Sequence, residues 1–182
     1  MTSHTRRRPA PTDPVAHPRT GRALLLGALL ALTLVAMPAP APAASRHRAP
    51  IGDRVERAIV RAIDRFRARN GLGPVRLDRR LALTARRHSL SMARGHYFAH
   101  DSSGGPWSRR VRSASHASEV GEILAYLRRT SPHRQATAVV SLWINSPPHR
   151  AVMLAGGFRR LGVGRARSGR TTFFTVDFAS GH

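Results

Sequence analysis

Pro147-Pro148 divides this chain more firmly than any other pair of residues. The run Ala136–Trp143 ahead of it is apolar at helical spacing. Asn145 and Ser146 are helix-ending residues, and neither proline can donate the amide that would carry the helix on. The next residue, His149, therefore sits on backbone with little freedom, so its ring is aimed before any ligand arrives, as a polar site requires. What His149 meets is the question the rest of the chain must answer, and acids are scarce.

Nine Asp and Glu face 31 basic residues, a net charge of +22, and every basic residue is arginine. A chain selected to bind nucleic acid mixes lysine with arginine and clusters them. The absence of lysine reads instead as arginine serving as the default surface cation. No basic motif interleaved with aromatics occurs, so specific nucleic-acid binding is not expected. The charge still favours anionic surfaces such as a cell envelope. There is no cysteine. Disulfides, thiol catalysis and Cys-ligated zinc are excluded together, and any metal site must use His and carboxylate. With 41% hydrophobic residues, the chain can build one domain on its core alone.

Residues 1–43 read as an export signal. Arg6, Arg7, Arg8, Arg19 and Arg22 form the positive segment, and Ala23–Met37 is an apolar stretch short of the roughly 20 residues that span a bilayer. Small residues at Ala41 and Ala43 offer a cleavage position, after which no transmembrane span remains; an uncleaved anchor is the alternative. Residues 44–50 are a polar linker, and 51–182 form the domain. Asp53 caps an amphipathic helix over Arg54–Arg69, ended by Asn70-Gly71. Asp78 caps a second, Arg79–Arg94, with His88 on its apolar face as a buried structural histidine. His96 and His116 read as solvated. Phe98 anchors the segment that carries His100 in the core, and Trp107–Val111 forms a short helix. Glu122 interrupts the apolar, strand-like run Glu119–Tyr126, and a buried carboxylate there needs a partner, since burying it alone costs several kcal/mol. Pro132–Trp143 is a further helix, Ala151–Leu154 a short helical turn. Leu161–Ala166 and Thr171–Ala179 are strands joined by a turn at Ser168-Gly169. Gly162 and Gly164 let another backbone come close. The fold class is α+β, with helices packed on a small antiparallel sheet.

The order of these motifs resembles the CAP superfamily, also called the SCP-like extracellular domain, in its short bacterial form. The carrying residues are Asn70-Gly71-Leu72 with Pro74 and Leu77, the helix Ala85–Met92, Phe98-Ala99-His100, Gly121-Glu122, Trp143–Arg150, Gly162-Val163-Gly164 and Val176-Asp177-Phe178. The resemblance spans Ile51 to Ala179. It implies an α-β-α sandwich with a central cleft where His100, Glu122 and His149 converge. It also implies a tetrad of two His and two Glu that in some members holds a divalent metal. Its second acid is expected near the end of the Pro132–Trp143 helix, where this chain has Ser146. Isoleucine at 123 replaces the asparagine of the family's Gly-Glu-Asn.

Two imidazoles and a carboxylate can ligate Zn²⁺, the divalent metal that best suits this donor set, work as a general acid–base pair with Glu122 as base, or form a packed polar network. Ser146 and Asp177 are weaker candidates for the same site. No serine lies in a Gly-x-Ser-x-Gly elbow, so a serine hydrolase is not expected. The expectation is a secreted binding module, extracellular or associated with the cell envelope, whose cleft takes a small lipid, glycan or peptide. The alternative is a metal-assisted hydrolase using the same cleft.

Overall fold

The computed structural model describes residues 51–181; the expected export signal and linker lie outside the described residues. Nine elements follow in order: α1 (Arg54–Arg69), β1 (Arg76–Leu77), α2 (Arg79–Gly95), α3 (Trp107–Ser115), β2 (Val120–Arg128), α4 (Pro132–Asn145), α5 (Pro147–Met153), β3 (Phe158–Ser168) and β4 (Thr171–Ser180).

Local chemistry sets the helix ends. Asp53 accepts hydrogen bonds from the amides of Val55 at 2.8 Å and Glu56 at 2.9 Å, and the Glu56 carboxylate accepts the Asp53 amide at 2.7 Å, a complete capping box. Asp78 caps α2 through the amides of Arg80 and Leu81, without a reciprocal bond. Both caps stand where the sequence places them. The prolines act differently from expectation. They stop α4, but they occupy the first two positions of α5, where a missing amide costs nothing. His149 thus stands in the first turn of a helix rather than on a free corner.

The sheet runs β1-β3-β4-β2. β2, β4 and β3 are antiparallel neighbours, joined at the β3–β4 end by a turn at Gly169-Arg170, one residue beyond the expected one. β1 adds two residues parallel to β3, so the sheet is mixed rather than purely antiparallel. Register opposes Glu122 to Asp177 and Asp177 to Gly162, and this row defines one face of the sheet. α2 lies on that face so closely that a Cβ at Gly162 would come within 2.0 Å of the Ala82 amide nitrogen, and one at Gly164 within 2.0 Å of that of Arg86. α3 joins it through Val111 and Trp107, packed with Leu81 and Ala179. The opposite face carries Ile123, Phe174, Val176 and Phe178. These meet Ile59 and Ile63 of α1, Val139 and Trp143 of α4, and Met153 of α5. Three layers result, helices on both sides of one sheet, which is the α-β-α sandwich.

Two polar contacts tie the layers. Arg67 is buried at 1% exposure, and its guanidinium donates to the carbonyls of Gly73, Met153 and Ala155 at 2.7–3.0 Å and to Phe158 O at 3.4 Å. Trp143 donates its indole N–H to Leu124 O at 2.9 Å, against the outer strand β2. Among the described residues, no helix is long and apolar enough to cross a membrane.

Candidate functional site

Glu122 is the centre. It points from β2 to the α2–α3 face of the sheet, and its side chain is fully buried. The partner its burial requires is present twice. His100, in the loop after α2, brings Nδ1 to 2.8 Å from Oε1, and the Arg110 guanidinium of α3 binds Oε2. His100 is the solvent side of this assembly, its side chain 46% exposed, while Arg110 is largely covered.

His149 brings the second imidazole. Its Nδ1 lies 2.8 Å from the hydroxyl of Ser146. Ser146 ends α4 and precedes α5 without making a capping bond through its side chain, so its hydroxyl is given to the histidine. Burial lowers the affinity of His149 for a proton, and the nearby His100 lowers it further. Among the described residues, neither Nε2 is committed to a hydrogen bond.

Beneath this visible layer lies a buried one. Asp177 on β4 is fully buried directly across from Glu122, and neither of its oxygens has a hydrogen-bond partner. Burial pushes its carboxyl well above the ordinary carboxylate range. The charge of Glu122 pushes the same way, and Arg110 opposes both. One Nη of Arg110 and Nδ1 of His88 are likewise buried without a partner. His88 is held through Nε2 at 2.9 Å from Ala99 O. Burial, then Arg110, keep it below the usual histidine range, with Glu122 pulling the other way. A second carboxyl thus stands beside Glu122, supplied by the last strand.

Phe98 does not anchor the His100 segment. The left-handed backbone at His96, φ 53°, turns the chain after α2 so that Tyr97 packs inward, its hydroxyl 2.8 Å from Ser91 Oγ. Phe98 is left 46% exposed, edge-on to Tyr126, itself 48% exposed, with ring centroids 5.1 Å apart. Tyr126 lies on the same sheet face as Glu122, about 13 Å along β2 at roughly 3.3 Å per residue. Arg110 was not distinguishable in the sequence, being one arginine among 31.

Both oxygens of Glu122 are occupied, one by His100 and the other by the Arg110 guanidinium, a permanent cation. Among the described residues, no group of three or more His, Asp or Glu side chains is gathered closely enough to hold a metal ion. The donor set as arranged does not fit a three-ligand zinc site. Nor does Ser146–His149 form a triad, since no acid stands behind the ring among the described residues.

Helices packed on both faces of one four-stranded sheet, with a buried glutamate held by a histidine, are the frame of a CAP domain. The chain belongs to this family: residues 60–178 match the one described as CAP, the cysteine-rich secretory protein family, although this member has no cysteine. It is 31% identical over 116 residues to the Bacillus subtilis protein YkwD, matching 63% of this chain and 43% of that one. It therefore spans less than half the length of that relative. Among solved structures, it is similar to an extracellular protein containing a SCP domain from Bacillus anthracis (28% identity, TM-score 0.61, covering 70% of this chain and 40% of that one). It shares its fold with an outer surface protein from Borrelia burgdorferi (20% identity, TM-score 0.61, covering 70% and 93%).

Proposed function

We propose that the chain is a binding module of the cell exterior. Its ligand lies along one sheet face, from His100 and Glu122 to the aromatic wall of Phe98 and Tyr126, with His149 of α5 near His100. The observation that carries this reading is the exposed aromatic pair. Two large rings left nearly half open, in contact with each other and beside a polar cleft, favour a partner with an apolar face. The neighbouring imidazoles and carboxylate favour a polar end on the same molecule. A glycan, a peptide or a small lipid meets both demands. Two relatives are described as extracellular or outer-surface proteins. With the export signal read at residues 1–43, this supports an extracellular location, and the net charge of +22 supports residence at an anionic envelope.

Trp107 provides the test. Its ring centroid is 6.2 Å from that of His100, and the only other tryptophan, Trp143, is 1% exposed. Titrating soluble glycan fragments, short peptides and fatty acids should change Trp107 emission for one of these classes. Tyr126→Ala and His149→Ala should each weaken that response about tenfold while melting normally. Affinity unchanged in both variants would sink the reading.

One observation favours a second reading, the metal-assisted hydrolase: among the described residues, both imidazoles keep Nε2 free of hydrogen bonds and open to a metal ion. Glu122, the general base of that reading, is already engaged at both oxygens. A zinc titration by calorimetry separates the two readings. Saturable heat lost in both His100→Ala and His149→Ala would support a shared metal site. Silence in the wild type would remove it.

A further inference from the structure

The end of the sheet remote from Glu122 gathers four arginines, of which one is answered by an acid. A concavity of about 590 Å³ opens where the turn after β2 meets the β3–β4 hairpin and the start of α4, and Arg129, Arg165, Arg167 and Arg170 line it together with Thr130 and Ser131. Arg165 is neutralised by Asp53, Nε to Oδ2 at 2.7 Å. The other three form no ion pair among the described residues. They are not scattered surface charges. The Arg129 amide donates to Arg170 O at 2.8 Å, which binds the two backbones together, and Arg129 holds the left-handed conformation at φ 52°, unusual for an arginine. Like charges fixed beside one another destabilise a fold unless a counter-charge sits between them. α4 adds to the same sign. Its first turn carries no acid, and Ser131 makes no capping bond through its side chain, so the positive end of the helix faces the same space.

The demand is for an anion of more than one charge and more than two acceptor oxygens. A carboxylate answers a single guanidinium fork. A phosphate group can be shared by several and still accept from a hydroxyl. We propose that this concavity is a phosphate site, gripping a phosphomonoester or phosphodiester between Arg129, Arg167 and Arg170, with Thr130 and Ser131 at its edge. Arg165 and Arg167 project on the α1–α4 side of the sheet and Glu122 on the other. Arg128 lies about 20 Å along β2 from Glu122, at roughly 3.3 Å per residue. The site is thus separate from the His100–Glu122 cleft and does not depend on how that cleft is read.

Calorimetric titration of the full chain with inorganic phosphate, at fixed ionic strength, tests it. Saturable binding is expected. It should weaken about tenfold in the double variant Arg129→Gln/Arg170→Gln, the scale of a lost charge-assisted pair. It should stay within about twofold in Arg79→Gln/Arg112→Gln, which removes the same charge from exposed positions on α2 and α3. Equal weakening in the two variants, or no saturable binding, would overturn the proposal and leave only diffuse attraction. Phosphatidylglycerol vesicles then identify the source. Vesicle binding that phosphate displaces, and that the hairpin variant loses, assigns the site to lipid headgroups. Phosphate binding without vesicle binding assigns it to soluble or polymeric phosphate esters.

Discussion

At the scale of single residues, the most informative group is Asp177. It is buried, without a hydrogen-bond partner, and its proton affinity is raised by burial and by Glu122. The native state therefore holds its proton to higher pH than the unfolded chain, which releases it above the ordinary aspartate pKa of about 4. Stability from this group is complete below that pH and falls as pH rises toward the native value. Asn cannot titrate, so the melting temperature of Asp177→Asn relative to the wild type should climb as pH rises above about 4. A flat difference would show that Asp177 is ionised in the fold. His88 and His149 work with the opposite sign. Their native proton affinities are lowered, so the unfolded chain takes up protons first, and stability should drop as pH falls through about 6.5. Thermal melts of His88→Gln should show a shallower loss between pH 7 and pH 5. Glu122 and the burial of His88 were legible in the sequence, because an acid inside an apolar strand and a histidine on an apolar helix face both have local signatures. The Asp177–Glu122 row was not legible, since it depends on strand register across 55 residues of chain. Arg110 gives no local signal at all.

At the scale of elements, the helices were legible and their junctions less so. Asp53 and Asp78 mark helix starts by a chemistry that acts within three residues. The αL turn at His96 reverses the expected place of Phe98, because helical and strand periodicities say nothing about which way a loop leaves a helix. β1 escaped notice because two residues carry no period. The close contact of α2 with β3 was announced by Gly162 and Gly164, and it gives a sharp expectation. Gly162→Ala places a methyl against backbone that cannot yield, so α2 must lift from the sheet, at a cost of about 3 kcal/mol in chemical denaturation. Arg67 holds α1, the exit of α5 and the start of β3 through carbonyls alone. Arg67→Ala should cost a similar amount, about 3 kcal/mol, by leaving those buried acceptors unanswered. A loss below about 1 kcal/mol would mean that water replaces the guanidinium.

At the scale of the whole molecule, the sandwich places different chemistries at different ends of one sheet. The His100–Glu122 cleft lies toward the start of β2, the aromatic pair along its length, and the arginine concavity past its end, on the other face. A chain with no disulfide holds this arrangement through interleaved apolar layers, so residues at the two ends can be substituted separately. The indole of Trp143 has a further effect. β2 is an outer strand, and such a strand offers its free amides and carbonyls to any other strand that drifts alongside. By bonding Leu124 O, Trp143 occupies the middle of that row. Two copies meeting edge to edge would find the ladder interrupted at its centre. Trp143→Phe removes the plug while keeping most of the packing, and the variant should form sheet-extended assemblies as its concentration rises.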